Sequence, residues 1–342
     1  MKKNVHNLLC CIILLLTLQG SAQDIHFSQF FEAPLLRNPS LAGLFSGDLR
    51  FQSVYRTQWQ SVTVPYQTTS INGEFKLAIG KSEDFLTIGG EILFDKAGTI
   101  AMKTTHVLPV LNYHKSLSAE KYVPLLGFMG GLVQRKFDNS KVTTNSQYNG
   151  TEYNGSLATG ETLAKNSYAY FDGTTGLSFN TQMGADPENN LFAGIAYHHF
   201  NKNAKNSFYT NANIEMAPKW VYSAGAKMAT TDNSYLTLHA DYTRQGGYTE
   251  LIAGGMITYR LDDVENPRYY IHGGAFLRWQ DALIPVAKLE IKPFAVSVSY
   301  DANISKLSSA SGGRGGFEMG LSYQKYLARD NTSRSAVRCP RF

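Results

Sequence analysis

The chain is poor in the features that usually explain a secreted or membrane protein. It has three cysteines, and two of them, Cys10 and Cys11, fall inside an apolar leader. Cys339 is then alone, so no internal disulfide can brace the fold. Beyond the leader no apolar run approaches the length of a membrane-crossing helix. Charge of one sign is also scarce. Loss of Lys2 and Lys3 with the leader leaves 30 basic against 27 acidic residues, too even a balance to favour nucleic acid. Nor does the sequence contain Gly-x-Ser-x-Gly, His-Glu-x-x-His or a Cys/His pairing. "GGRGGF" at 312–317 lacks the Lys-Ser/Thr of a phosphate loop and precedes a strand. These absences argue against an enzyme and against any cofactor.

What is present begins with that leader. Lys2 and Lys3, the apolar stretch Leu8 to Leu18 and then Gly20-Ser21-Ala22 have the layout of a secretory signal over 1–22. No cysteine stands at the expected cut, which disfavours a lipoprotein. The remaining chain of roughly 320 residues suits two soluble domains or one large barrel. It is rich in Tyr (20), Phe (19) and Gly (30). Period-two alternation recurs along it. Phe294, Val296, Val298 and Tyr300 share one face, with Ala295, Ser297, Ser299 and Asp301 on the other. Leu236, Leu238, Ala240 and Tyr242 alternate in the same way, as do Phe317, Met319, Leu321 and Tyr323.

A soluble sandwich would bury the oily face, whereas a membrane barrel turns it to lipid. Strand length favours the barrel, since many of these segments exceed a typical sandwich strand. Aromatic residues crowd the strand ends: Tyr55, Trp59, Tyr113, Tyr197, Trp220, Tyr222, Tyr259, Tyr269, Tyr270, Tyr323 and Tyr326. Charges occupy the polar face at Arg50, Arg56, Glu91, Asp241, Lys288, Glu290 and Glu318. The pattern predicts 14 strands near 48–58, 66–79, 84–95, 100–117, 121–137, 168–181, 189–200, 216–230, 233–245, 247–261, 268–279, 281–292, 294–304 and 313–327. The fold class expected is therefore all-β: a transmembrane antiparallel up-and-down β-barrel embedded in outer-membrane lipid. Its longest loops, 138–167, 201–215 and 305–312, fall on one side, as the barrel rule requires.

Two segments flank the barrel at 48–327. Residues 23–47 are apolar but broken by proline. Phe27, Phe30 and Phe31 would pack inside a barrel, and Pro34 and Pro39 keep the chain out of strand pairing. A plug inside the lumen and a strap across its mouth are both open readings. At the other end, residues 328–342 form a basic tail closing on Arg338, Cys339, Pro340, Arg341 and Phe342, either a solvated tail or a periplasmic docking element. Arg56, facing inward near Trp59, is expected to pair with a lumenal acid or to hold the N-terminal segment. Asp95-Lys96-Ala97-Gly98 reads as an outer turn. His198 and His199, as strand neighbours, should face opposite sides and share no metal.

The order of several short motifs carries a resemblance. Asp24, Phe27-Ser28-Gln29-Phe30, Asn38-Pro39-Ser40-Leu41-Ala42-Gly43 and Tyr55-Arg56-Thr57-Gln58-Trp59 are followed by Asp95-Lys96-Ala97-Gly98, His198-His199-Phe200, Arg278-Trp279-Gln280-Asp281-Ala282, Ser299-Tyr300-Asp301 and Gly315-Gly316-Phe317-Glu318. With the closing Cys339-Pro340-Arg341-Phe342, this series resembles the PorP/SprF family of Bacteroidetes outer-membrane proteins. Asn38-Pro39-Ser40 also resembles the Asn-Pro-Ala of the hatch in fatty-acid-transporter-like barrels, with serine replacing alanine. The family resemblance implies a role in type IX secretion: export or surface attachment of adhesins bearing a recognised C-terminal domain, in some cases tied to gliding motility. Periplasmic or lipoprotein components of the machine are the partners it implies. A passive or substrate-selective transporter is the alternative expectation.

Overall fold

The computed structural model describes residues 24–327, apart from 61–63, 80–83, 119–120, 162, 164, 185, 187, 202–207, 210–215, 263–266, 307 and 309–311; at 118 and 121–125 only the backbone is described. The leader at 1–22 and the tail at 328–342, with Arg338 to Phe342, lie outside the described residues.

Fourteen strands make one sheet: β1 (Leu49–Gln58), β2 (Tyr66–Ala78), β3 (Phe85–Ala97), β4 (Met102–Ser118), β5 (Lys121–Lys136), β6 (Ser167–Gln182), β7 (Asn190–His198), β8 (Lys219–Thr231), β9 (Ser234–Gln245), β10 (Tyr248–Arg260), β11 (Tyr269–Arg278), β12 (Ala282–Ile291), β13 (Phe294–Asn303) and β14 (Arg314–Lys325). Each pairs antiparallel with its sequence neighbours. The ring closes where β1 meets β14 in a register running from Leu49↔Lys325 to Thr57↔Phe317. Closure leaves no edge strand, the condition for crossing a membrane with strands.

Side-chain burial shows which solvent each face meets. On β13 the apolar set is the exposed one: Phe294 at 59%, Val296 and Val298 at 40%, Tyr300 at 41%. The polar set is buried, with Ser297 at 2% and Asp301 at 1%. The same inversion holds on β14, where Phe317, Met319 and Leu321 are exposed and Glu318 is fully buried. A soluble sandwich would show the reverse. This is an oily wall around a polar interior, the pattern of a transmembrane barrel.

The long connections, 137–166, 199–218 and 304–313, share one end of the barrel. By the usual asymmetry of such barrels that end is extracellular, and the end carrying the β8–β9 and β12–β13 turns is periplasmic. Each strand lies where the alternation places it, with ends shifted by no more than three residues.

Three local expectations are corrected. Asp95, Lys96 and Ala97 belong to β3, and the turn begins at Gly98 with φ +69°; the Asp95 side chain faces inward and accepts a hydrogen bond from Thr68 at 2.7 Å. Tyr270 is 1% exposed and points into the lumen, so it belongs to no aromatic girdle. His198 and His199 are both buried. β7 ends at His198, and His199 takes φ +59°, which breaks strand alternation and turns its ring inward as well.

The lipid-facing assignment predicts an asymmetric response to charge. Val298→Arg, near the middle of β13 on the oily face, should destabilise the folded barrel by about 2–4 kcal/mol. Heat-modifiable migration and denaturant unfolding in detergent measure this, and no comparable loss is expected from Tyr148→Arg in the exposed 137–166 loop.

Candidate functional site

The polar interior is not left to water. Residues 24–47 run through it, from Asp24 near the extracellular end to Asp48, whose amide donates to Lys325 O (2.9 Å) at the periplasmic end. Residues 27–45 are all buried except Leu36. Proline prevents this stretch from adding to the sheet. It folds instead into a 3-10 turn (Phe30–Glu32), a single helical turn α1 (Pro34–Arg37) and a second 3-10 turn (Pro39–Leu41).

Apolar side chains of the segment fill gaps between inward residues of distant strands. Phe30 and Phe31 cluster with Ile252, Met256, Phe276 and Ile284, and Phe27 packs with Ala33, Val54 and Leu93. Leu41 and Leu44 meet Phe85 and Phe192.

Charges then tie the segment to strands around the whole ring. Arg37 donates through Nε to Asp241 on β9 at 2.7 Å. Glu32 pairs with Lys288 on β12 at 2.5 Å and accepts from Gln52 on β1 at 3.1 Å. Glu318 on β14 accepts the backbone amides of Ser28 (2.6 Å) and Gln29 (2.7 Å). Arg56 joins three elements: it donates to His26 O at 2.6 Å and Asp301 at 3.1 Å, and lies 3.2 Å from Glu318. Arg278 on β11 donates to Ser28 Oγ. On β2, next to β1, Glu74 accepts from Gly43 N (2.7 Å) and from Arg50 Nε (2.8 Å). Asn112 on β4 donates to the carbonyls of Ser40 (2.7 Å) and Ala42 (2.8 Å). Buried pairs of this kind contribute little net energy when intact, but losing one partner costs about 3–5 kcal/mol because the other charge is stranded.

Asn38-Pro39-Ser40 sits where the wall has been thinned. Asn38 Nδ2 donates to Leu177 O (3.1 Å) and Ile195 O (3.2 Å), carbonyls of facing residues on β6 and β7. Its Oδ1 accepts from Ser40 N (2.9 Å) and Ser40 Oγ (2.7 Å), which sets the following turn. Two glycines make room. A Cβ on Gly176 would lie 2.0 Å from Asn38 Oδ1, and one on Gly127 would lie 2.3 Å from Ser40 N.

At the extracellular end, Asp24 forms a polar clasp with Lys219 (2.5 Å) and His199 (3.3 Å), and His199 also contacts Asp172 (2.9 Å). His199 lies beyond the end of β7. Burial alone would lower its pKa, but its hydrogen bonds to the Asp172 and Asp24 carboxylates outweigh burial and raise it to about 9.

Of the residues singled out by sequence, Phe27, Phe30, Asn38, Pro39 and Arg56 converge on this interior. Trp59 does not join the segment's packing: with φ +62° it turns out of β1 to line the extracellular mouth beside Trp279. The sequence reading assigned no role to Glu32, Arg37, Glu74, Asn112 and Asp301. Strand parity marks the last three as inward, but nothing local says which partner each meets. Among the described residues no cluster of His, Cys, Asp and Glu is arranged to hold a metal.

The model of the type IX secretion system membrane protein PorP/SprF matches residues 19–323. The chain belongs to the PorP/SprF family. Membership of this membrane family and a closed barrel with an oily exterior make it an outer-membrane component of type IX secretion, and they indicate a membrane component rather than an enzyme. No curated protein matches the chain. Solved structures similar in shape include the Pseudomonas putida toluene transporter TodX (7% identity, TM-score 0.48, 86% of this chain and 94% of that one). The Ralstonia pickettii toluene transporter TbuX matches at 12% identity and TM-score 0.46, over 90% and 96%. A Pseudomonas aeruginosa FadL homologue matches at 9% identity and TM-score 0.42, over 86% and 94%.

Two outcomes test this arrangement. Gly176→Ala should destabilise the barrel by about 1–3 kcal/mol through overpacking, and most of that cost should vanish in an Asn38→Ala background. A double-mutant cycle on unfolding in detergent reads the coupling. The clasp should also respond to pH. The folded pKa of His199 is raised, so its stabilising effect is complete below about 6.5 and is lost as pH rises through about 9. Thermal stability should therefore fall between pH 6.5 and 9.5, and His199→Gln should flatten that step.

Proposed function

We propose that this protein is a closed docking subunit of the type IX secretion machine. In this reading it supports export or surface attachment of adhesin-like substrates with a recognised C-terminal domain, including those that serve gliding motility. The observation that supports it best is the filled lumen. A segment tied by buried ion pairs to β9 and β12 and by hydrogen bonds to charged groups on β1 and β14 is costly to displace, so residues 23–47 act as a plug and the barrel works through its two ends.

The periplasmic end is the side for machine components. β14 finishes there at Lys325, and in this reading the tail at 328–342 serves on the periplasmic side. Arg338, Cys339, Pro340, Arg341 and Phe342 are its proposed docking element: arginines to meet acidic groups and Phe342 as an apolar anchor, with a periplasmic or lipoprotein component as partner. The extracellular end, with the long connections, is the side for the substrate's C-terminal domain.

Deletion of the gene should abolish surface display of the cognate adhesin, with the full chain restoring it. A chain truncated after Leu327 should still migrate as a folded, heat-modifiable barrel but lose co-purification with periplasmic components. In planar bilayers the intact protein should be nearly silent. Steady conductance together with undiminished adhesin display would reject the docking role and favour the substrate-selective transporter.

A further inference from the structure

The geometry points to an anionic-lipid site on the outer wall of the barrel: we infer that Lys96, Lys103 and Lys136, with Lys141, bind the phosphate of an outer-leaflet glycolipid headgroup.

The three strand lysines stand in one row. Lys96 on β3 is directly opposite Lys103 on β4, and Lys103 is directly opposite Lys136 on β5. All three are exposed and share the outward parity of Phe94, Val107 and Leu132 on the same strands. Like charges facing each other across strands destabilise a sheet. Three in succession therefore need an anion to offset their repulsion, and the protein supplies little of one. Among the described residues none of the three forms an ion pair. The one acid at the site, Asp138, lies 3.8 Å from Lys141. The four lysines and Asp138 line a single cavity of about 410 Å³ at the foot of the 137–166 loop, with Asn139 and Asn166 as further polar groups.

The position identifies the anion's source. The row lies at the extracellular ends of β3, β4 and β5, beside the long loop. Four residues toward the membrane centre, about 13 Å along each strand, is a second row in the same register: Ile92↔Val107 and Val107↔Leu132. These are exposed by 37%, 49% and 63%. A wall that is cationic at the interface and oily one acyl-chain segment deeper fits a molecule with a phosphate above and hydrocarbon below. Lysines cost little at that depth and attract anionic headgroups. The rest of the same rim is different. Its outward positions include Trp220, Tyr300 and Phe317, with Arg244 as a single cation, so a row of facing cations is local to β3–β5.

The test is retention of native lipid. Protein extracted from outer membranes in mild detergent should carry a phosphorylated glycolipid detectable by mass spectrometry. The triple variant Lys96→Gln, Lys103→Gln, Lys136→Gln should retain at least about tenfold less, while Arg244→Gln, on the exposed face of β9, should retain the wild-type amount. Heat-modifiable migration checks that each variant is folded, and Lys103→Gln alone, the central lysine, serves if the triple variant does not assemble. Delipidated wild type should rebind the phosphorylated glycolipid but not its dephosphorylated form, and millimolar inorganic phosphate should fail to displace it. Equal retention by the triple variant, or by folded Lys103→Gln where that variant stands in, would overturn the site. So would equal binding of the dephosphorylated lipid, or no lipid on the wild type. Displacement by inorganic phosphate would reduce it to a free-anion site and overturn the lipid assignment.

Discussion

The constraint beneath this structure is the need to satisfy charge in a lumen sealed by its own wall. Closing fourteen half-polar strands turns Arg50, Arg56, Glu74, Asp241, Lys288, Asp301 and Glu318 inward, where every one is buried. An isolated buried charge is very expensive. The wall answers part of this itself, as in Arg50 with Glu74. The remainder is met by the N-terminal segment, which brings Glu32 to Lys288, Arg37 to Asp241 and backbone amides to Glu318. Barrel and segment are therefore two halves of one electrostatic arrangement.

Shape complementarity follows the same division. A β wall is uniform, so a compact turn can approach it closely only where side chains are missing. Gly127 and Gly176 supply that space, and Asn38-Pro39-Ser40 uses it. Asn38 links the backbones of β6 and β7 while ordering the turn that follows it. The motif thus acts as a locating pin that fixes the segment's depth in the lumen, and the clasp at Asp24 fixes its extracellular end.

The outside of the barrel is governed by a different solvent. Lipid removes the need for polar partners along most of the wall, so the lipid-facing rows are aliphatic and aromatic. Where charge does reach that face in quantity, on β3–β5, it stands at the interface. The two surfaces answer to separate pressures, with internal charge balance holding the segment and external depth sorting the side chains.

Alternation in the sequence determined the strands, their number, the parity of each side chain and the side on which the long loops fall, because the two-residue period of a strand is local and survives without knowledge of its neighbours. The ordered motifs likewise carried the family. Parity says only in or out. It could not show that His199 leaves the strand on a left-handed φ or that Asp95 stays within one. Nor could it say which inward charge meets which: Arg37 and Asp241 are 204 residues apart. Only closure of the ring around residues 24–47 decided those pairings, because contact across a lumen depends on strand register and on the path of the enclosed chain, and neither is written in any local stretch of sequence.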